Sequence, residues 1–299
     1  MKVDSNLARK IEAGDFILTA EYAPGPAATP MTAAASLNAL GDRPAAVGMS
    51  DNPHGVTLSS LAACVAAMNS GVEPILQMVT RDRNRIAIQS DLLGASSLGI
   101  KNLLCISGYH QTLIGCEESA NVFDIDSTQL IEMVSNMSRN GVLSDGKAID
   151  GTFSMLVGAV ANPYLKPLEL NLIRLAKKVQ AGAMFILTHA VFDMEPFSLW
   201  LDAARKEGLT RSCAIIAGIY PLQSAAEGLN LRETFAEFQI PDSIIERLDK
   251  AGDAARNEGI AICAETISRL KPLDGLRGIH ILSGGREAVV PDIVAASGL

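Results

Sequence analysis

The chain has 299 residues, of which 48% are hydrophobic and 19% are charged. Such a chain buries roughly three-quarters of its unfolded surface, so it can build a large core without disulfides or metal, and extensive disorder is excluded. Its 25 basic and 33 acidic side chains give a net charge of −8, which disfavours nucleic acid and anionic membranes as partners and favours small molecules or other proteins.

Targeting and redox signals are weak in this sequence. No segment approaches the ~20 apolar residues of a membrane-spanning helix, and the charged N-terminus does not resemble a signal peptide, so a cytoplasmic location is expected. The cysteines are odd in number, widely spaced and without a CxxC motif, which predicts reduced thiols and neither a disulfide framework nor a zinc site. They are Cys64, Cys105, Cys116, Cys213 and Cys263.

Eight short apolar runs have the length of β-strands. They are hydrophobic nearly throughout rather than alternating, which is typical of strands that are buried on both faces of a parallel sheet. The runs are Phe16 to Ala20, Ala45 to Met49, Pro74 to Val79, Asn102 to Ile106, Met155 to Val160, Met184 to Leu187, Ala214 to Ile219 and Ile279 to Leu282.

Helical patterns separate the apolar runs. One covers Thr57 to Asn69, with Thr57 as a possible N-cap, and another runs from Pro167 or Leu168 to Ala181 and ends at Gly182. The second places its leucines on one face and charged residues elsewhere, as in a surface helix packed on a sheet. Further helices are predicted at Ser127 to Arg139, Ile244 to Lys250 and Asn257 to Leu270.

Eight strand–helix units predict an α/β fold, specifically a single-domain (β/α)8 TIM barrel over residues 1–299. Longer insertions are expected at about 111–150 and 221–277. The alternative is an open, doubly wound sheet, which is disfavoured because no GxGxxG turn follows any of the strands.

In such a barrel the chemistry belongs to the residues that follow the strands, since the carboxyl ends of all eight strands meet at one opening. These residues are polar. They are Glu21, Ser50-Asp51-Asn52, Thr80-Arg81-Asp82, Ser107-Gly108-Tyr109-His110, Asn162, Thr188-His189, Tyr220 and Ser283-Gly284-Gly285-Arg286.

This set of side chains suits proton transfer on a large, partly anionic organic ligand. Glu21 ends an apolar run beside poorly solvating neighbours, which should raise its pKa, although a plain solvated carboxylate is the alternative. Arg81 and Arg286 are candidate anion ligands. The histidines lack metal-binding spacing, so no metal is predicted; His54 falls in a loop, and His280 is expected to be a hydrogen-bonded structural residue of the eighth strand.

Taken together, the strand-end motifs resemble the methylenetetrahydrofolate reductase family, particularly its short bacterial form that has the catalytic barrel only. The resemblance covers nearly the whole chain, and the order and spacing of the motifs make it specific. The motifs are Thr19 to Pro24, Asp51-Asn52-Pro53, Gln77 to Arg85, Leu92 to Ala95, Gly158 to Pro163, Thr188 to Asp193, Ala217 to Pro221 and Gly278 to Ile281.

The resemblance implies a flavin enzyme of one-carbon metabolism and methionine biosynthesis. FAD would pass a hydride from NADH or NADPH to 5,10-methylenetetrahydrofolate, giving 5-methyltetrahydrofolate. Glu21 matches the family's general acid, which helps to protonate the pterin so that the methylene bridge opens to the iminium that accepts hydride.

The same matching implies a set of ligand-binding residues. Arg81 and Lys178 would meet the FAD pyrophosphate, although Lys178 is equally well explained as a surface lysine of a helix. The matched FAD residues are Ser50, Asn52, Thr80, Arg81, Asp82, Ser107, Gly108, Tyr109, Asn162, Asn171 and Lys178. Those matched to the folate are Tyr109, His189 and Arg286.

Two residues depart from the family pattern where flavin and pterin would meet. Gly108-Tyr109 stands where the family has Gly-Asp, and Thr188-His189 stands where it has Thr-Gln. Several alternatives therefore stay open: a flavin-poor variant, a catalytic subunit that receives electrons from a partner, a folate-binding protein without turnover, and a methyl transferase that uses the same folate. A homo-oligomer is also possible.

Overall fold

Eight parallel strands form the centre of this computed structural model, which describes residues 3–299. Each strand pairs with the next along the chain, and the last pairs with the first, so the sheet closes into a barrel. The strands are β1 (Ile17–Tyr22), β2 (Ala46–Met49), β3 (Pro74–Val79), β4 (Asn102–Ile106), β5 (Leu156–Ala161), β6 (Phe185–Ala190), β7 (Ala214–Ile219) and β8 (Leu276–Ile281). The predicted (β/α)8 barrel is confirmed, and the open-sheet alternative is wrong.

Helices surround the barrel and cover the outer face of its strands. Within the described residues they are α1 (Asn6–Ala13), α2 (Pro30–Ala39), α3 (Ser60–Asn69), α4 (Arg85–Ser97), α5 (Ser127–Asn140), α6 (Leu168–Ala181), α7 (Met194–Lys206), α8 (Leu209–Ser212), α9 (Ala225–Thr234), α10 (Asp242–Ala251), α11 (Ala255–Leu270) and α12 (Val290–Ser297). Short 3₁₀ helices lie at Gln111–Ile114, Gly252–Ala254 and Glu287–Val289. None of these helices has both the length and the apolar character needed to span a bilayer.

Element boundaries differ from the sequence prediction at a few places. Strands β1 and β6 extend further than their apolar runs, so Glu21 and His189 lie within strands rather than after them. Strand β8 begins three residues before the predicted Ile279, because the alternating Leu276-Arg277-Gly278 segment already pairs with its neighbours.

The start of α3 corrects another prediction. Ser59 is the N-cap of this helix, and its hydroxyl accepts a hydrogen bond from the backbone N–H of Ala62 at 3.3 Å. Thr57, the predicted cap, instead donates its backbone N–H to the Asn52 side chain at 3.0 Å. Because that contact holds Thr57 in the loop after β2, the helix begins later than the pattern predicted.

The interior of the barrel is an apolar core that is closed at the amino ends of the strands. Buried residues such as Ile75, Leu104 and Phe185 form this core, and Leu7 of α1 packs against it from below. The Glu73 carboxylate fixes α1 there, because it accepts the backbone N–H groups of Asn6 at 2.6 Å and Leu7 at 2.9 Å. We call the opposite end, at the carboxyl ends of the strands, the barrel mouth.

Two connections at the mouth are long. The β4–β5 connection contains α5, and the β7–β8 connection contains α9, α10 and α11. The five cysteines are all unpaired and four are buried, as expected for reduced thiols.

Candidate active site

Glu21 sits on β1 with its carboxyl group turned into the barrel mouth. The Ser50 hydroxyl donates to Glu21 Oε1 at 2.7 Å, and Gln77 Nε2 lies 3.5 Å from the same oxygen. Burial raises the pKa of Glu21; the hydrogen bonds from Ser50 and Gln77 oppose this rise, and the nearby charge of Glu287 adds to it. A carboxyl group in this environment keeps its proton to higher pH, as a general acid requires.

A polar layer lies beneath this carboxyl group. His280 Nδ1 is 2.9 Å from Thr19 Oγ1, which confirms the predicted hydrogen-bonded structural histidine. Burial lowers the pKa of His280 to about 4, so the ring is neutral at physiological pH. A Cβ atom on Gly48 would come within 3.0 Å of Gln77 Nε2, so the absence of a side chain there leaves Gln77 room to reach Glu21.

Arg81 is at the centre of a closed polar network. Its guanidinium donates to both Asp82 carboxylate oxygens at 2.6 and 2.8 Å, and to the backbone carbonyls of Asn52 and Tyr109. The Asn52 amide also donates to Asp82 at 3.1 Å. Because Arg81 is only 2% exposed, this network joins the loops after β2, β3 and β4 rather than presenting a cation to the mouth.

A second ion pair in the same region was not singled out by the sequence reasoning. The buried Asp51 carboxylate accepts two hydrogen bonds from the Arg83 guanidinium at 2.7 and 3.1 Å, and one from the Val79 backbone N–H at 3.0 Å. Asp51 lay within a recognised motif, but only the fold shows that its side chain holds the ends of β2 and β3 together.

The loop after β4 brings Ser107 and Gly108 against β3. The Thr80 hydroxyl points at the Ser107 carbonyl, 3.5 Å away, and Ser107 Oγ accepts the first backbone N–H of α5, from Ser127, at 3.3 Å. Gly108 has φ +88°, and a Cβ atom there would lie 3.2 Å from Arg81 Cβ. The left-handed backbone therefore favours glycine, and a Cβ atom would also crowd Arg81.

The three remaining predicted cofactor residues lie around β5 and α6. The Asn171 amide, 4% exposed, donates to the carbonyls of Asn162 at 2.9 Å and Leu165 at 3.3 Å, so it braces the β5–α6 loop. Lys178 Nζ donates to the Val160 carbonyl at 2.6 Å, and burial lowers its pKa. Lys178 is thus half-buried against the sheet and is not a freely solvated surface lysine.

Arg286 is placed at the mouth by an acidic partner on α9. It donates to Glu227 Oε1 at 2.9 Å, and the Tyr220 hydroxyl donates to the same oxygen at the same distance. The Arg286 guanidinium carbon also lies 5.3 Å from the centre of the Tyr220 ring. Its Nε is buried without an acceptor among the described residues, so one N–H of this cation remains unused.

Tyr109 and His189, the two departures from the family pattern, meet a third residue, Glu237. The Tyr109 hydroxyl donates a hydrogen bond to Glu237 Oε1, and His189 Nδ1 lies 3.9 Å from the same oxygen. Burial raises the pKa of Glu237. Burial and the positive charge of Lys178 lower the pKa of His189 to about 4, so its ring is neutral near pH 7.

A β-bulge directs His189 toward the mouth. Leu187 pairs with Ile216 and Ala190 pairs with Gly218, so β6 contains one more residue than β7 over the same span. Such bulges re-aim side chains and are common beside active sites. A Cβ atom on Gly218 would overlap the Thr188 carbonyl oxygen and lie 2.9 Å from the His189 carbonyl oxygen, so the bulge needs glycine opposite it.

Glu237 belongs to a turn between α9 and α10, residues 235–238, which we call the lid turn. Phe235 packs on Tyr109 with ring centres 5.0 Å apart, and Phe238 packs edge-on against Tyr220 at 5.6 Å. Since Tyr109 follows β4 and Tyr220 follows β7, the lid turn reaches across the mouth. The sequence reasoning missed it; an acid between two aromatics in a non-periodic segment was the available signal.

A barrel of this kind, with a buried acid and a polar set of loops at the carboxyl ends of its strands, defines the class of (β/α)8 proteins that bind their ligands at the mouth. The comparison with protein families is more specific, because the family described as methylenetetrahydrofolate reductase matches residues 6–298. The chain belongs to the methylenetetrahydrofolate reductase family, which confirms the resemblance drawn from the strand-end motifs.

Curated relatives agree with this membership. The chain is 24% identical over 248 residues to a probable methylenetetrahydrofolate reductase (NADPH) of Caenorhabditis elegans, covering 82% of this chain and 35% of that protein. It is 29% identical over 119 residues to methylenetetrahydrofolate reductase 2 of Saccharomyces cerevisiae, covering 39% and 19%. The chain therefore spans about a third or less of the length of these relatives.

Among solved structures, an uncharacterised protein from Clostridium thermocellum has a similar fold, with a TM-score of 0.66, 14% identity and 98% coverage of both chains. That protein binds two copies of 5-methyl-5,6,7,8-tetrahydrofolic acid. The similarity extends over the whole barrel and shows the shared fold.

Proposed function

We propose that this protein binds a tetrahydrofolate at the barrel mouth and reduces 5,10-methylenetetrahydrofolate to 5-methyltetrahydrofolate, with Glu21 as the general acid. The observation that carries the proposal is the placement of the Glu21 carboxyl group in the mouth, 2.7 Å from Ser50 Oγ and with a raised pKa, in a chain of this family. The folate ligand of the similar Clostridium thermocellum barrel supports the same ligand class.

The chemistry assigned to the chain is the delivery of one proton. Protonation of the substrate opens its methylene bridge to an iminium, which a hydride then reduces to a methyl group. Glu21 supplies the proton, because burial raises its pKa and so favours the acid form of its carboxyl group. Ser50 and Gln77 hold that group in one orientation, and Arg286, Tyr109 and His189 are the proposed folate contacts.

FAD is the hydride carrier that family membership implies, and NADH or NADPH is the implied donor. Two residues matched to the FAD diphosphate do not fit that role as the chain is folded. Arg81 is 2% exposed and engaged by Asp82 and two carbonyls, and Lys178 donates to Val160. A diphosphate needs accessible cations or N–H donors. We therefore assign no step to a flavin.

The same observation favours a second candidate function. A barrel whose matched cations are occupied internally fits a folate-binding protein that holds no flavin, as a subunit of a one-carbon complex or as a methyl transferase. In both cases the Glu21 and Arg286 region would still bind the folate, and only the hydride chemistry would differ.

Three measurements on the purified protein test these functions: its visible absorbance, calorimetric titration with 5-methyltetrahydrofolate, and oxidation of NADH or NADPH with methylenetetrahydrofolate. A flavin spectrum, folate binding and donor oxidation support the reductase. A colourless protein that gains no activity with added FAD but binds the folate supports the second candidate. Absence of folate binding contradicts both.

The proposal leaves the electron source and assembly as predictions. The sequence predicts a cytoplasmic location and leaves open both a partner subunit that supplies electrons and a homo-oligomer. Size-exclusion chromatography with light scattering would give the oligomeric state of the isolated chain.

A further inference from the structure

Helices α6 and α7 carry apolar side chains on the side that is turned away from the barrel. On α6, Leu172 and Leu175 are buried against the sheet, whereas Leu170 and Ile173 are 42% and 52% exposed. On α7, Leu199 is 59% exposed. The two helices are in contact, since they follow the paired strands β5 and β6. We call the surface that carries Leu170, Ile173 and Leu199 the α6–α7 face.

Two unpaired charges of opposite sign border this face. Lys177 lies one turn beyond Ile173 on α6, and Glu195 lies one turn before Leu199 on α7. Both residues are exposed, and neither side chain has an ion-pair or hydrogen-bond partner among residues 3–299. The α6–α7 face therefore combines exposed apolar side chains with a free cation on one helix and a free anion on the other.

The positions of these residues match one another when a second copy of the chain is related to the first by a two-fold axis. Helices that follow the parallel strands of a barrel run in the same direction, so an axis between α6 and α7 sets α6 of one copy antiparallel to α7 of the other. When Ile173 of one copy faces Leu199 of the other, Lys177 faces Glu195, because each charge lies four residues from its apolar neighbour, in opposite directions along the helices. The axis repeats both contacts, so the face is complementary to itself.

We propose that the α6–α7 face is the interface of a homodimer, in which Leu170 and Ile173 of one copy pack against Leu199 of the other and Lys177 pairs with Glu195 across the interface. Each copy has a net charge of −8, so two copies repel unless the surfaces in contact are complementary. Here the cation and the anion of each copy meet the anion and the cation of the other. The interface is independent of the proposed folate function, because it lies on the outside of the barrel and not at its mouth.

Analytical ultracentrifugation of the full chain tests the apolar part of this interface. The parent should sediment as a dimer at micromolar concentrations. Ile173→Glu should raise the Kd of the dimer by ~100-fold or more, because an apolar side chain that each copy buries becomes charged. Ile86→Glu is the matched control, since Ile86 is 75% exposed on α4 and undergoes the same chemical change. This control should leave the Kd unchanged.

Reversal of the charges tests how the two copies are oriented. Lys177→Glu and Glu195→Lys should each raise the Kd by ~10-fold or more, because both contacts of the dimer then join like charges. An equimolar mixture of these two single variants should dimerise as the parent does, since each contact again joins opposite charges. The double variant Lys177→Glu with Glu195→Lys should recover for the same reason.

A monomeric parent overturns the proposal, and so does a dimer that Ile173→Glu and Ile86→Glu affect equally. Single charge variants that dimerise like the parent, or a mixture of them that does not recover, overturn the pairing of α6 with α7. Circular dichroism shows whether each variant is folded. If Ile173→Glu does not fold, the charge variants decide, because their recovery on mixing requires folded chains.

Discussion

Burial and two hydrogen bonds act in opposite directions on the pKa of Glu21, and burial prevails. Glu21→Gln keeps the size of the side chain but removes its acidic proton. It should slow folate reduction by ~10²-fold or more, the usual contribution of a general acid, while leaving 5-methyltetrahydrofolate affinity unchanged. Steady-state rates and calorimetric binding would check this. Ser50→Ala, which retains the acid, should lose much less rate; a Glu21→Gln variant with the parental rate would remove the role from Glu21.

The same raised pKa predicts how stability depends on pH. A carboxyl group whose folded pKa lies above its ordinary value of 4.5 favours the folded state below that value, and this contribution disappears as pH rises through the folded pKa. Glu21→Gln should therefore be more stable than the parent near pH 8, with the difference shrinking or reversing at pH 4. Urea unfolding at the two pH values would show it. Equal differences at both would contradict the burial argument.

Restoring the family's residues at positions 109 and 189 has a consequence that the structure makes specific. Tyr109→Asp replaces a hydrogen-bond donor to Glu237 with a second carboxylate, so repulsion should weaken the lid turn. Tyr109→Asp with His189→Gln should gain folate affinity only when Glu237→Gln is added. Calorimetry on the double and triple variants measures this, and the effects should be non-additive. A double variant that already binds more tightly than the triple variant would show that Glu237 does not oppose the exchange.

At the scale of the elements, the β6 bulge depends on a missing side chain. Gly218→Ala would press a methyl group against the Thr188 and His189 carbonyls, so we expect a loss of about 1–3 kcal/mol in the free energy of unfolding together with weaker folate binding. The same substitution at Gly94 is the control. That residue lies inside α4 with open space around it, and alanine there should raise the free energy of unfolding by roughly 0.5–1 kcal/mol. Denaturant unfolding of both variants would test the contrast.

The strands were predictable because strands that are buried on both faces appear in the sequence as short, nearly continuous hydrophobic runs. The limits of β3, β4 and β7 agree with their apolar runs, and α6 ends at its predicted glycine. The lid turn was not predicted, since it has no periodicity and its key contact joins Tyr109 to a residue 128 positions away. Motif matching found Glu21 and His189. The position of Glu237 at the mouth depends instead on how the fold places α9 and α10.

For the whole molecule, Glu73 joins parts of the chain that are distant in sequence. Its carboxylate accepts the Asn6 and Leu7 backbone N–H groups and the Asn102 amide at 3.0 Å, which ties α1 to the starts of β3 and β4. Glu73→Ala should lower the free energy of unfolding by about 2–4 kcal/mol, because hydrogen bonds to a charged acceptor contribute about 1.5–3 kcal/mol each. Glu118→Ala, at an exposed glutamate, is the control. Equal stability of the two variants would contradict this role.

With α1 packed under the barrel, the amino ends of the strands are covered, so we expect ligands to enter from the side of the lid turn. If ligands bind and leave through one end of the barrel, the order of binding is fixed. The ligand that contacts the deepest group binds before any ligand that lies above it and leaves after it. Glu21 lies within β1, whereas Glu237 is carried on the turn that crosses above. Any second ligand at the mouth would therefore block the exchange of the first, and such blocking would appear in kinetics as substrate inhibition at high concentrations of the outer ligand.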